Sequence, residues 1–300
     1  MIVSSENLNK LRVGFSAAFK RGLGSSTSLY KAITMTVPAT QKEQRYGWLG
    51  KLPRVREWLG PRVIQNVSES DYSIKERPWE QTVGLDRDDV ETDNLGLYST
   101  IFEMMGQSVA DFPDELVWGL LLKGFTTLCY DGQYFFDTDH PVLDVDGTTV
   151  LSVANTDGGN GNPWFLIDVG QVLKPIILQI RRDFGDIVAR DKVTDDNVFD
   201  FNEFRYGVDA RLNVGFGFWQ YAWGSKQALS PDTYETANNA LTGMKGDHGK
   251  PVGGAKKFLL IVGSSQQKAA RSIVASQLVN GGETNPWAGT ADVLVVPWLT

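Results

Sequence analysis

Asp131, Asp137, Asp139 and His140 crowd into one short acidic turn, Tyr130-Asp131-Gly132-Gln133-Tyr134-Phe135-Phe136-Asp137-Thr138-Asp139-His140-Pro141. Hard cations take several carboxylate oxygens from one loop, so the turn can be drawn as an oxygen-rich metal site of a metal-dependent hydrolase. A plainer reading, which we prefer, has the carboxylates capping turns and the imidazole satisfied by backbone. His140 and His248 are the only histidines, which argues against a multi-histidine zinc site. Gly243-Met244-Lys245-Gly246-Asp247-His248-Gly249-Lys250-Pro251 approaches a phosphate-binding loop. Its spacing is one residue too long, and Pro251 stands where a Ser or Thr would hold magnesium. Gly263-Ser264-Ser265-Gln266-Gln267 lacks the second glycine of a nucleophile elbow. No catalytic residue, cofactor or metal is assigned, and the chain is not expected to be an enzyme.

The stretch before the turn must position it. Tyr98, Ile101, Phe102, Met105 and Val109 recur at helical spacing, and the pattern resumes after Pro113 with Leu116, Val117, Leu120 and Leu121. Pro113 followed by Asp114 and Glu115 suits a first helical turn, where the missing N–H costs nothing and acids meet the positive helix end. The spacing predicts a long helix, kinked or restarted near Pro113 and closed by Gly124.

Composition narrows the class. The chain has 300 residues, room for roughly one large or two ordinary domains of about 150 residues each. A net charge of -7 and a pI near 5.0 oppose the basic footprint of a dedicated nucleic-acid-binding domain. Cys129 is the only cysteine, so no intrachain disulfide forms and synthesis in a reducing cytoplasm fits. No run approaches the ~18 apolar residues of a membrane helix, and the first residues lack a secretory pattern. No membrane partner is expected.

In chain order, Ser5 is a plausible cap for a helix whose stripe is Leu8, Leu11, Phe15 and Phe19, broken at Gly22 and Gly24. The plain reading of this short amphipathic helix is packing on its own domain. Thr34 to Val37 reads as a strand. Residues 46–62 mix Gly and Pro with Trp48, Trp58 and three leucines, an irregular passage that something must cover. Strands follow at Val63 to Val67, Tyr72 to Arg77 and Trp79 to Leu85, with Trp79, Gln81, Val83 and Leu85 on one face and Pro78 marking an edge. A two-stranded hairpin is marginal alone, and its open edges invite another chain. Lys42, Arg45, Lys51, Arg54, Arg56 and Arg62 stand against Glu43 and Glu57, whereas residues 86–93 hold five acids against Arg87. Opposite patches on one molecule suit a head-to-tail interface; they can also be simply two solvated faces.

Farther on, residues 144–147 and 155–163 read as loops, Trp164 to Ile167 and Ile176 to Ile180 as strands, and the acidic 183–203 as exposed connection. Phe204 to Trp223 is dense enough in aromatic and apolar residues for buried strands. Ser230-Pro231-Asp232 opens a helix with Tyr234, Ala237, Leu241 and Met244 inside. Lys257 to Val262 is a strand, Ser264 and Gln267 form a capping box for a helix reaching Leu278, and Val293 to Val296 is a final buried strand.

Tyr130-Asp131-Gly132, Phe135-Phe136-Asp137 and Asp139-His140-Pro141 resemble the major capsid proteins of tailed bacteriophages, in the Mu-like branch of the Hong Kong 97-type fold. Tyr206-Gly207-Val208-Asp209-Ala210-Arg211, Gly215-Phe216-Gly217-Phe218-Trp219-Gln220, residues 285–289 and Pro297-Trp298-Leu299 extend the likeness over nearly the whole chain. The resemblance implies an α+β subunit with a long spine helix. It would have an N-terminal arm (1–45), an extended β-hairpin loop region (46–93), a peripheral lobe (94–150) and an apical α/β lobe with returning peripheral strands (151–300). It implies self-assembly into pentamers and hexamers of an icosahedral virion shell around double-stranded DNA, built in the bacterial host cytoplasm. Expected partners are other copies of the chain, scaffold, portal and decoration proteins, and DNA by non-specific proximity. Arg54, Arg56, Trp58, Arg62, Tyr72, Lys75, Arg77 and Trp79 on one side, and Asp88, Asp89, Glu91 and Asp93 on the other, are the candidate inter-subunit contacts. A monomeric binding module is the remaining alternative.

Overall fold

The computed structural model describes residues 5–49, 71–92, 96–146, 148–253, 256–278 and 280–299. The chain opens with helix α1 (Ser5–Ser25), strands β1 (Thr34–Pro38), β2 (Glu43–Arg45), β3 (Ser73–Lys75) and β4 (Arg77–Asp86), and the short helix α2 (Arg87–Thr92). The long helix α3 (Leu97–Leu122) follows, then β5 (His140–Leu143), β6 (Val150–Val153), β7 (Thr156–Gly159), β8 (Trp164–Asp168), β9 (Ile176–Arg182) and β10 (Val188–Arg190). Helix α4 (Asp196–Phe201), β11 (Glu203–Phe216), β12 (Ala222–Lys226), α5 (Pro231–Thr242), β13 (Phe258–Val262), α6 (Gln267–Val274) and β14 (Ala291–Val295) complete it.

Two sheets are strung along α3. The first runs β1-β9-β11-β10, with β4 on the other side of β11, antiparallel from Glu203↔Asp86 to Leu212↔Arg77. Trp79, Gln81, Val83 and Leu85 do share the inner face of β4, and Pro78 sits on an edge strand where its missing N–H costs no ladder bond. The second sheet is mixed, in the order β14-β13-β8-β12-β7. Its central β8 is buried at every residue, which is why Trp164 to Ile167 is continuously apolar instead of alternating.

Helix α3 belongs to both cores. Phe102, Met105 and Val109 pack with α1, Leu85, Val90 and Phe204, whereas Val117, Trp118 and Leu121 join the larger core of the second sheet, α5 and α6. Pro113 lies inside one continuous helix at the junction. The buried Asp114 beside it accepts from Tyr30 N at 2.7 Å, Leu29 N at 3.1 Å and Trp118 Nε1 at 2.8 Å. That carboxylate ties the chain after α1 to the middle of α3.

Several expectations are corrected. Helix α1 passes through Gly22 and Gly24, because Gly22 is a contact: a Cβ there would lie 2.0 Å from Glu103 O, and one on Gly106 would lie 2.1 Å from Phe19 O. Leu8, Phe15, Ala18 and Phe19 are buried against the chain's own body. Ile101, assigned to the inner face of α3, is partly exposed, and Trp118 takes an inner position instead. Residues 73–75 pair with 43–45, and Tyr46 and Leu49 are buried in the chain's own core; Val63 to Val67 lie outside the described residues. Part of the loop predicted at 155–163 is β7, held parallel to β12. The acidic 183–203 segment contains β10, α4 and the wholly buried Asp191. Helix α6 ends at Val274 and has no side-chain cap, and β14 is a half-buried edge.

Candidate functional site

The acidic turn follows α3 because Gly124 allows the Phe135–Phe136 pair to fold back. A Cβ on Gly124 or on Gly224 would lie 2.7 Å from ring carbons of Phe136, so this ring is clamped between α3's end and β12. The fold-back delivers His140 into the interior, fully buried and stacked on Trp219 at 3.9 Å between ring centroids. His140 Nδ1 meets Asp131 Oδ2 at 2.7 Å, and Nε2 faces Asn155 Oδ1 at 3.3 Å. The imidazole is therefore satisfied by side chains and not, as expected, by backbone. Asn155, also fully buried, accepts from Asp137 N at 2.9 Å and donates to Phe135 O at 2.8 Å. Asp137 does cap its turn, accepting from Thr138 N and Tyr134 N, while Asp139 remains exposed.

Cys129 completes the cluster. Its Sγ donates to Asp131 Oδ1 at 3.0 Å, and Asp131 also accepts from Gln133 N. Burial and the neighbouring carboxylate push the thiol well above its ordinary range. Burial raises the Asp131 carboxyl, but the hydrogen bonds from His140 and Cys129 outweigh it and the net direction is down. Ligand atoms of Cys129, Asp131 and His140 lie within 4.8 Å of one another. As they stand they are closed to an ion, which would have to part the 2.7 Å Asp131–His140 pair. Every polar group here is answered by another, which makes the cluster a structural tie between the turn, β5, and the loops before β7 and β12.

The candidate contact residues fall into different settings. Arg54, Arg56, Trp58, Arg62 and Asp93 lie outside the described residues. Tyr72 turns inward, its hydroxyl accepting from Phe216 N at 2.7 Å; burial pushes its pKa up to about 12. Trp79 is half-buried, donating to Leu212 O at 3.1 Å and edge-on to Phe112. Lys75 and Arg77 are exposed at the start of β4, and Asp88 and Asp89 are exposed on α2, while Glu91 pairs with Arg87 at 3.0 Å. The two charged groups thus stand at opposite ends of β4. Not foreseen from the sequence was α4, where Phe199 and Phe201 project into solvent between acids. The signal was available as two phenylalanines in an otherwise polar, acidic stretch.

The model of the Mu-like prophage major head subunit family matches residues 8–299. The chain belongs to that family. It is 39% identical to the major capsid protein of Escherichia phage Mu, over all of both chains. It is 40% identical to the Mu-like prophage FluMu major head subunit of Haemophilus influenzae, covering 92% of this chain and 91% of that one. Among solved structures it is similar to the procapsid of bacteriophage JBD30, with TM-score 0.87, 38% identity and coverage of 99% and 100%. It is also similar to the JBD30 capsid decorated with minor capsid protein trimers, with TM-score 0.77, 29% identity and 93% of each chain. The α+β architecture is the phage capsid fold. As a major head subunit, the protein is a structural component of the virion shell and not an enzyme, in keeping with a polar cluster whose groups are all spent on one another.

Proposed function

We propose that copies of this chain meet head to tail to form pentamers and hexamers, which close into an icosahedral shell around double-stranded DNA. In this reading the first sheet with α1 and α3 forms the peripheral lobe, and the second sheet with α5 and α6 the apical lobe. Residues 50–70 form the extended loop that reaches a neighbour. The N-terminal arm of the sequence reading is then limited to the part of residues 1–45 not packed on α3 and β9. The carrying observation is the β2–β3 ladder, a two-stranded sheet separate from both large ones that closes the foot of the excursion. Buried Ile74 and the Tyr72 hydroxyl, bonded to Phe216 N, fix this ladder to β11, while its short strands keep open edges of the kind that favour pairing with another chain. Lys75 and Arg77 at one end of β4, and Asp88 and Asp89 beyond the other, supply the two unlike surfaces that a closing ring needs. Scaffold, portal and decoration proteins would join this lattice, and the net charge of -7 supports enclosing DNA without gripping it.

Replacing residues 50–70 by a short Gly/Ser linker tests the reading. β2 and β3 must stay, because Ile74 is buried and Tyr72 is bonded to β11. The expected product is a folded subunit that no longer builds shells in negative-stain microscopy; normal shells would refute the bridging role.

A further inference from the structure

The end of the first sheet where β4 passes into α2, and α4 into β11, differs from the rest of the surface. Glu203 pairs with Asp86 and Arg87 N donates to Asn202 O at 2.9 Å, which brings the two short helices together at one end of the ladder. Val90 and Val198 plug the smaller core from beneath. On the outside, Asp88, Asp89, Asp196 and Asp200 are exposed and make no ion pair among the described residues. Beside them Phe199 is 84% exposed and Phe201 67%. The Arg205 guanidinium lies 5.8 Å from the centroid of the Phe201 ring and is itself engaged by Glu203 at 2.7 Å. Folding gives no reason to place two phenylalanines there, since Val198 already provides the buried contact of α4. Protruding aromatics ringed by charge are the composition of an interface anchor.

We infer that this acidic, phenylalanine-bearing end is the seat for the basic, tryptophan-bearing segment 50–62 of a second copy. That segment brings Arg54, Arg56 and Arg62 against Glu57, with Trp58 among them, the complement of four carboxylates that make no ion pair among the described residues and of two exposed rings. Planar guanidinium groups pair with carboxylates and stack on aromatic faces, so one residue type answers both features of the seat. The foot of the segment and the seat lie at opposite ends of β4, about 30 Å apart at ~3.4 Å per residue. A contact repeated from copy to copy therefore uses two different surfaces and can close a ring. This inference rests on the assembly reading above.

Full-length wild type, Phe199→Ser/Phe201→Ser, Asp196→Lys/Asp200→Lys, Arg54→Glu/Arg56→Glu and the combined charge swap are compared by sedimentation and negative-stain microscopy, with thermal melting as the check on folding. The phenylalanine variant and each single-sided charge variant should lose about tenfold or more in shell yield at unchanged melting temperature. The combined swap should restore it. Wild-type shells with phenylalanine-variant shells at equal yield would overturn this inference alone, as would a swap that rescues nothing. So would variant shells that form normally but fail to take up a decorating protein. A wild type that builds no shell would overturn the assembly reading, and this inference with it. Should the serine variant unfold, the charge swap still decides.

Discussion

Two acid-rich regions of the molecule, the turn at residues 130–141 and the end built by α2 and α4, treat their carboxylates in opposite ways. In the turn, Asp131 is held by His140, Cys129 and Gln133, and Asp137 by two backbone N–H groups. At the α2–α4 end, Asp88, Asp89, Asp196 and Asp200 stand in water beside uncovered phenylalanine rings. The first region has the residue types of an active site and serves the fold; the second has plain surface chemistry and is left open to solvent. What separates them is hydrogen-bond satisfaction, because a buried polar group left unmet costs more than its bond returns, whereas an exposed one costs nothing.

The contrast can be broken from the inside outward. The largest effect is expected at Asp191, an acid of the 183–203 segment that behaves like the turn: it is fully buried, gripped by Arg12 and bonded to Tyr206 at 3.0 Å. Arg12→Ala strands that carboxylate and should cost about 3–5 kcal/mol in chemical unfolding. Next, His140→Ala takes one partner from Asp131, whose Oδ2 faced the ring, and one from Asn155, and uncovers the face of Trp219, for about 2–4 kcal/mol. Bound-metal analysis of the wild type should find no stoichiometric ion.

A smaller, pH-dependent effect belongs to Asp131. Its folded pKa is depressed, so in acid the unfolded chain binds the extra proton first and stability rises with pH. The contribution is complete above the ordinary carboxylate value near ~4 and is lost as pH falls through the lower folded value. Asp131→Asn should flatten that acid limb in a pH series of melting curves. The smallest effect is at the open end: Phe199→Ser and Asp88→Asn should each leave subunit stability within about 0.5 kcal/mol of wild type. A marked loss there would erase the distinction between the two regions.

Elements whose pattern lies on one face were legible from residues alone. Helix α5 has its Ser230 cap and buried Tyr234, Ala237 and Leu241, and β4 keeps its alternation. Features decided by distant contacts were not. Gly22 reads as a breaker until α3 is seen to lie against its backbone, and Thr156-Asp157-Gly158-Gly159 reads as a turn until β12 imposes a strand. In the same way Asp131 and His140 could be selected by type, but Asn155 and Trp219, which settle the imidazole, come from later in the chain. Whole-chain likeness to a family supplied the fold where local pattern ended.

Pro113 has a mechanical consequence. Lacking an N–H, it leaves the carbonyl one turn earlier, at Val109, without its usual rung, and it does so where α3 passes from one core to the other. Load transmitted along the subunit crosses its stiffest member at that open rung, with Asp114 pinning the spot to the chain after α1. A bend in α3 therefore costs least at that rung, which lies between the residues packed in one core and those packed in the other.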